Sequence, residues 1–277
     1  MELYEKTEYK SQIPFLFNNY IREYDISKAN INILYWKKAI PYETYKELYS
    51  APRDVRQYVV GNMQKDSTIN EILMNGFIEC RKMFLESNGF TDTDILSIKK
   101  DAIFVINKIP KRTEFENIKF VGKNVYTSYM SFFNKKIELY YSSNKVSFNG
   151  IENIDVKGIS DKKIILHKEF MLDFLYYIFD MIENDSLENT IEGFNRFYNQ
   201  YINKELNLGY YRNFNSESMF TVSYKSPFLL GMSYEIEQPH IVSKDDFDLI
   251  NISYNMNFLR VIFQYLSSIH FMRINVR

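Results

Sequence analysis

Asp25 and Asp101 are the side chains through which this sequence would do metal-assisted chemistry. Asp25 stands in YDISKANINIL, where the weakly alternating run NNYIREYDI passes into a helical pattern, and Asp101 stands in SIKKDAIFV, at the exit of the turn between two apolar runs. Phosphoryl transfer to a nucleotide uses divalent cations that want hard carboxylate oxygen, and adjacent strand ends are the usual place to gather it. If the two strands are sheet neighbours, both carboxylates point at one spot. Each aspartate also has an ordinary structural role open to it, Asp25 as a helix N-cap and Asp101 as a turn residue bonding its own backbone.

Other chemistry-bearing groups form no comparable set. His167, His240 and His270 are scattered, with no metal-ligand interval and no Ser or Cys partner, so a hydrolase triad has little support. Asp92 and Asp94 in GFTDTDIL read as a solvated loop between helix and strand. The run GYYRNFN combines Tyr210, Tyr211 and Phe214 with Arg212, residues that either stack exposed bases or pack a core. Trp36 reads as a packing residue beside the first helix.

The elements that must position the aspartates follow from periodicity. NNYIREYDI is a strand ending near Asp25, and SKANINILYWKKAI a short helix with Ser27 available as its cap. Pro41 starts the next helix, PYETYKELYS, and Pro52 fits the first turn of another. Ile69, Leu73, Phe77, Cys80 and Phe84 then recur at three to four residues, and Gly89 ends that apolar face. DILSIKKDAIFVINK reads as an antiparallel hairpin whose Lys99-Lys100 turn is a poor choice where positive φ is needed. Further strands are expected in NVYTSYMSFF, KKIELYYSS and KVSFNGI, with turns at Asn134, Asn144 and Gly150. From about Lys168 two amphipathic helices follow, one with Phe170, Phe174, Leu175, Ile178 and Ile182, the other with Leu187, Ile191, Phe194, Tyr198 and Ile202. A last helix carries Leu259, Ile262, Phe263 and Leu266.

Composition narrows the class. With 277 residues, 45% of them hydrophobic, the chain can bury at least one sizeable core. Its formal net charge of -1 argues against a uniformly basic coat, yet between Lys99 and Lys168 thirteen Lys and one Arg stand against seven Asp or Glu. One face is therefore expected to be basic. The single cysteine, Cys80, makes no internal disulfide, and neither a signal-type nor a membrane-spanning apolar run is seen, so a cytoplasmic protein without membrane contact is expected.

The two aspartate segments carry a family resemblance. YDISKANINIL resembles motif A of family B DNA polymerases, and KKDAIFV resembles their motif C. KKIELYY and DVKGI, further on, are similar to the family's Lys-x-Tyr strand and Lys-Gly-Ile element. A looser likeness to family A polymerases lies in GNMQKDSTINEILMNGFIECRKMFLE followed by IKKDAIFVI. The family B resemblance implies an α+β fold: a polymerase-palm-like antiparallel sheet with packed helices over residues 1–165, followed by a mainly helical thumb-like unit over 166–277. It also implies that Asp25 and Asp101 hold Mg2+ or Mn2+ for nucleotidyl transfer, and that Lys136 and Lys157 contact the nucleic acid of a primer-template, to which Lys99 and Lys100 are expected to add contacts.

Two departures mark the match. Lys99 stands where the family has the first Asp of motif C, and Asn30 where it has a tyrosine under the incoming sugar. Fingers would be minimal, about 40–65, and Arg53 and Arg56, at i and i+3 of one helical face, would serve with Lys65 as triphosphate ligands. The same arginines could equally be solvated on a surface helix. The functional expectation is a viral or phage-type polymerase-like enzyme, or else a palm-derived subunit or adaptor of a viral replication or transcription assembly with no catalysis of its own.

Overall fold

The computed structural model describes residues 8–13, 15–132, 137–143, 153–158, 174–203 and 205. The fold is α+β, with antiparallel sheets and, among the described residues, six α-helices. The chain divides into two compact units, Met1–Ile13 with Asn19–Val125 and Pro14–Asn18 with Tyr126–Arg277. The second sheet falls in the same unit as the C-terminal helices.

The first unit begins with β1 (Glu8–Lys10); β2 (Phe15–Leu16) belongs to the second unit. Then come β3 (Ile21–Ile26), α1 (Ala29–Trp36), α2 (Tyr42–Ser50), α3 (Arg53–Met63) and α4 (Ser67–Asn88). A 3-10 turn at Asp92–Asp94 leads into the hairpin of β4 (Ile95–Lys99) and β5 (Ala102–Ile106), and β6 (Glu114–Phe115) and β7 (Ile118–Tyr126) complete the sheet in the order β1-β4-β5-β3-β7-β6.

Alternation along β3 sends Tyr24 and Ile26 to the helix-covered face, where they join Ile98, Ile103, Val105 and Phe120 in one buried cluster with Leu73, Phe77, Cys80 and Phe84 of α4. Phe84 is the hub of that cluster. Its ring stacks on Phe120 at 4.3 Å between centroids and also meets Tyr24 and Phe90, so truncating it to Ala would cost about 3–5 kcal/mol. α4 starts where the Asp66 carboxylate accepts from the Thr68 amide at 2.8 Å and stops at Gly89 with φ 63°, a left-handed position that glycine adopts without strain.

Local chemistry differs from the sequence reading at three places. α1 is not capped by Ser27; Lys28 takes the cap position in the left-handed conformation, φ 46° and ψ 43°. Ser27 is instead held by its backbone, its amide donating to Lys119 of β7 at 2.8 Å and its carbonyl accepting from Asn32 Nδ2 at 2.7 Å. Pro52 precedes α3 as its cap residue, with extended ψ, because a proline there gives up no helical hydrogen bond. Asp94 is buried and closes a capping box with Thr91 while pairing with Lys108 at 2.8 Å, so only Asp92 of the acidic doublet is exposed.

In the second unit, β8 (Ser128–Phe132) lies between β2 and β9 (Ile137–Tyr141), and β10 (Ile154–Lys157) closes the four-stranded sheet on the far side of β9. Two helices follow, α5 (Phe174–Asn184) and α6 (Leu187–Ile202). The Tyr141 ring stacks on Phe179 at 5.2 Å between centroids with the planes 5° apart, which seats α5 on this sheet. The expected strand KVSFNGI, the turns at Asn134, Asn144 and Gly150, the GYYRNFN run and the helix around Leu259 lie outside the described residues.

Candidate functional site

β3 and β5 are direct antiparallel neighbours, with Asp25 opposite Ala102, and the Ile26 amide donates to the Asp101 carbonyl at 3.2 Å. The tip of the β4–β5 hairpin is thereby fastened to the end of β3. Lys99 pairs with Ala102, so the two-residue turn is Lys100-Asp101 and Asp101 sits within it. Lys100 supplies the positive φ, 50°, which costs a lysine energy that glycine or asparagine would largely avoid.

Both aspartates line one open cleft of about 470 Å³ in the first unit. Arg53 and Arg56 of α3 line it as well, as do Lys28, Lys100 and Lys123. Five basic residues thus share one cleft with two acidic ones, and the cleft is suited to an anion that brings its own cations or hydroxyls. Two of its basic residues, Lys28 and Lys100, hold left-handed backbone conformations, the kind of local strain that collects at ligand sites.

Asp25 is the most confined of these groups, with 9% of its surface exposed. Its Oδ2 is ion-paired to Lys123 Nζ from β7, and its Oδ1 has no hydrogen-bond partner among the described residues. Asp101 is half-buried. Lys28 ties the cleft to α2: its ammonium donates to the Tyr49 carbonyl at 2.7 Å, at the C-terminal end of that helix where a cation is favoured, and lies 3.5 Å from the Tyr49 ring centroid. Arg56 braces the start of α3 by donating to the Ala51 carbonyl. Lys100 lies over the Phe77 ring, 5.2 Å from its centroid.

The remaining residues singled out from sequence fall elsewhere. Lys65 follows α3 and is exposed outside the cleft lining, because α3 ends at Met63 and turns the chain away. Lys99 is the last residue of β4, half-buried and also outside the lining. Lys157 lies on β10 of the second unit, where it pairs with Asp155 at 2.7 Å. Lys136 is outside the described residues.

Asn30 lines the cleft with a buried Oδ1 that lacks a partner among the described residues. Lys123 is the participant that sequence reasoning missed. Its membership in the basic stretch from Lys99 to Lys168 was the one local signal, but its meeting with Asp25 depends on β7 returning beside β3.

Divalent cations were expected between the aspartates. Among the described residues no group of three or more His, Cys, Asp or Glu side chains is placed to hold a metal ion. Asp25 and Asp101 line the same cleft, and the buried Asp25 Oδ1 lacks a partner among the described residues, so a cation held there would have to complete its shell with water and substrate phosphate, as Mg2+ commonly does.

An α+β protein with a basic cleft built around two carboxylates is the class that fold and site define. The chain belongs to the family described as Bacteriophage PBS1 gene 130 protein, whose model matches residues 1–267. Among curated proteins, no match is found. No helix of the described residues is long and apolar enough to cross a membrane.

Proposed function

We propose that the cleft binds the phosphates of a nucleotide at the end of a nucleic-acid strand, as the palm-like centre of a polymerase-like nucleotidyltransferase acting in the host cytoplasm. One observation carries this reading: Asp25 and Asp101, 76 positions apart in the chain, line the same cleft with Arg53, Arg56 and Lys100. The motif A and motif C resemblances of their segments support it further. Asp25 and Asp101 would hold Mg2+ or Mn2+, which when bound lowers the pKa of an attacking hydroxyl and neutralises a leaving pyrophosphate. Arg53 and Arg56 would orient the triphosphate, with α2 and α3 in the place of fingers, and Lys100 would add charge beside the nucleic acid. A primer-template is the partner this chemistry requires.

Primer extension with Mg2+ or Mn2+ tests the reading, run beside Asp25→Asn and Asp101→Asn. Extension abolished by both substitutions is the expected result; extension that survives both removes the aspartates from the chemistry.

A second reading is a nucleic-acid-binding, palm-derived subunit without catalysis, working within a viral replication or transcription assembly. The Lys123–Asp25 ion pair favours it, since a carboxylate already neutralised in the free protein is a weaker metal ligand. Nucleic-acid binding without extension under any metal condition would decide for this reading.

A further inference from the structure

We infer that Lys123 is an internal counter-cation that occupies Asp25 until ligand arrives, so that a divalent cation and a nucleotide's phosphates enter this cleft together. The inference rests on the nucleotide-binding reading of the cleft and adds to it the order and coupling of binding.

The Asp25 side chain is only 13% exposed, and a carboxylate so enclosed needs a cation beside it. Lys123 fills that need through Oδ2, leaving Oδ1 without a partner among the described residues. The lysine is not itself enclosed. Its side chain is 55% exposed, and an ammonium on a flexible four-carbon stem can leave without disturbing the strand that carries it.

Where the ammonium can go is decided by its surroundings. A divalent cation arriving alone would itself have to settle in a cleft lined by Lys28, Arg53, Arg56 and Lys100, with the displaced ammonium still tethered nearby. Repulsion from those groups opposes the exchange. A cation arriving with a triphosphate brings the anion to which the displaced ammonium can turn. Each ligand therefore raises the affinity of the other, and by the same factor. Lys123 is a positioning residue in this scheme: it balances the Asp25 carboxylate and takes no part in bond making.

The test is a Mn2+ titration of the full chain followed by electron paramagnetic resonance. Wild type, Lys123→Met and Lys123→Arg are compared, and each also binds a fluorescent nucleoside triphosphate analogue with and without Mn2+. Expected are weak Mn2+ binding by wild type alone, binding at least about tenfold tighter in Lys123→Met, and wild-type behaviour in Lys123→Arg. The gain in nucleotide affinity caused by Mn2+ should shrink in Lys123→Met. The double variant Asp25→Asn/Lys123→Met, which leaves no uncompensated charge, should fold and bind no Mn2+.

Equal Mn2+ affinity in wild type and Lys123→Met overturns the inference, and nucleotide binding that persists with Mn2+ would leave the proposed function standing. Mn2+ bound as tightly by the double variant also overturns it, by placing the ion elsewhere. Failure of every variant to bind either Mn2+ or the nucleotide overturns both readings.

Discussion

The amide of Ile26 donates to the carbonyl of Asp101 at 3.2 Å, fastening the tip of one hairpin to the end of the strand that carries Asp25. This bond fixes where the hairpin turn must bend, and the bend falls on Lys100 with φ 50°. Lys100→Gly should therefore raise stability by about 0.5 kcal/mol, the left-handed penalty of a lysine less the extra chain entropy of glycine. The urea midpoint measures it. A fall of more than about 1 kcal/mol would mean that the contact of Lys100 with the Phe77 ring outweighs the backbone term.

Close approach of α1 and α4 occurs at Gly76, where an added Cβ would fall on Ile33 Cγ2. That methyl is anchored to a β-branched centre and has little freedom to yield. Gly76→Ala is expected to destabilise by about 1–3 kcal/mol, and combining it with Ile33→Ala should cost less than the sum of the two single losses. Because α1 carries Asn30 and Ile31 along the cleft, the single variant should also weaken nucleotide binding, which fluorescence titration would report.

Asp94 provides a pH dependence whose sign can be worked out. Burial alone would raise its pKa, but hydrogen bonds from Lys108 and from the Thr91 amide and hydroxyl, together with the Lys108 charge, hold it below the usual carboxylate value. A depressed carboxylate stabilises the fold above its unfolded pKa, and this contribution is lost as pH falls through the folded value. Denaturant midpoints taken from neutral pH down through the carboxylate range should drop for wild type. Asp94→Asn should start about 1 kcal/mol lower and vary less over the same range.

The Cys80 thiol is pushed up to about 12, chiefly by burial and then by the neighbouring Glu79 charge. A thiol so poorly ionised, with no exposed surface, should resist alkylation by iodoacetamide at pH 8 in the folded protein and react readily in denaturant. Fast labelling under native conditions would show that α4 opens locally.

How much the sequence disclosed depends on the range of the interactions involved. β3, the β4–β5 hairpin, α2 and α4 were legible because their signals are local: alternation ending at Asp25, paired apolar runs around Lys100, Pro41 before α2, and Gly89 after α4. Ser27 was a reasonable cap by residue type, but the amide it donates to Lys119 fixes its backbone from another strand and passes the cap position to Lys28. β1 and β2 are only 3 and 2 residues long and owe their existence to partners far along the chain, so no periodic signal could announce them. Arg53 and Arg56, at i and i+3, both lie on α3, while Lys65 falls just past its end, which sequence does not locate to within a few residues. Lys123 was withheld for the same reason as β1: its partner is chosen by strand order.

The first strands leave a mark on how the chain can be divided. β1 completes an edge of one sheet through Glu8 and Lys99, and β2, a few residues on, completes the other through Phe15 with Met130 and Leu16 with Tyr129. A nick between Val125 and Tyr126 would therefore give no pair of self-sufficient fragments. The front piece would keep a strand that has nothing to pair with, and the back piece would expose a raw β8 edge prone to sticking to its own kind. β2 is made long before β8, the strand it pairs with, so the second sheet is expected to close this edge late, after every strand of the first unit has been synthesised.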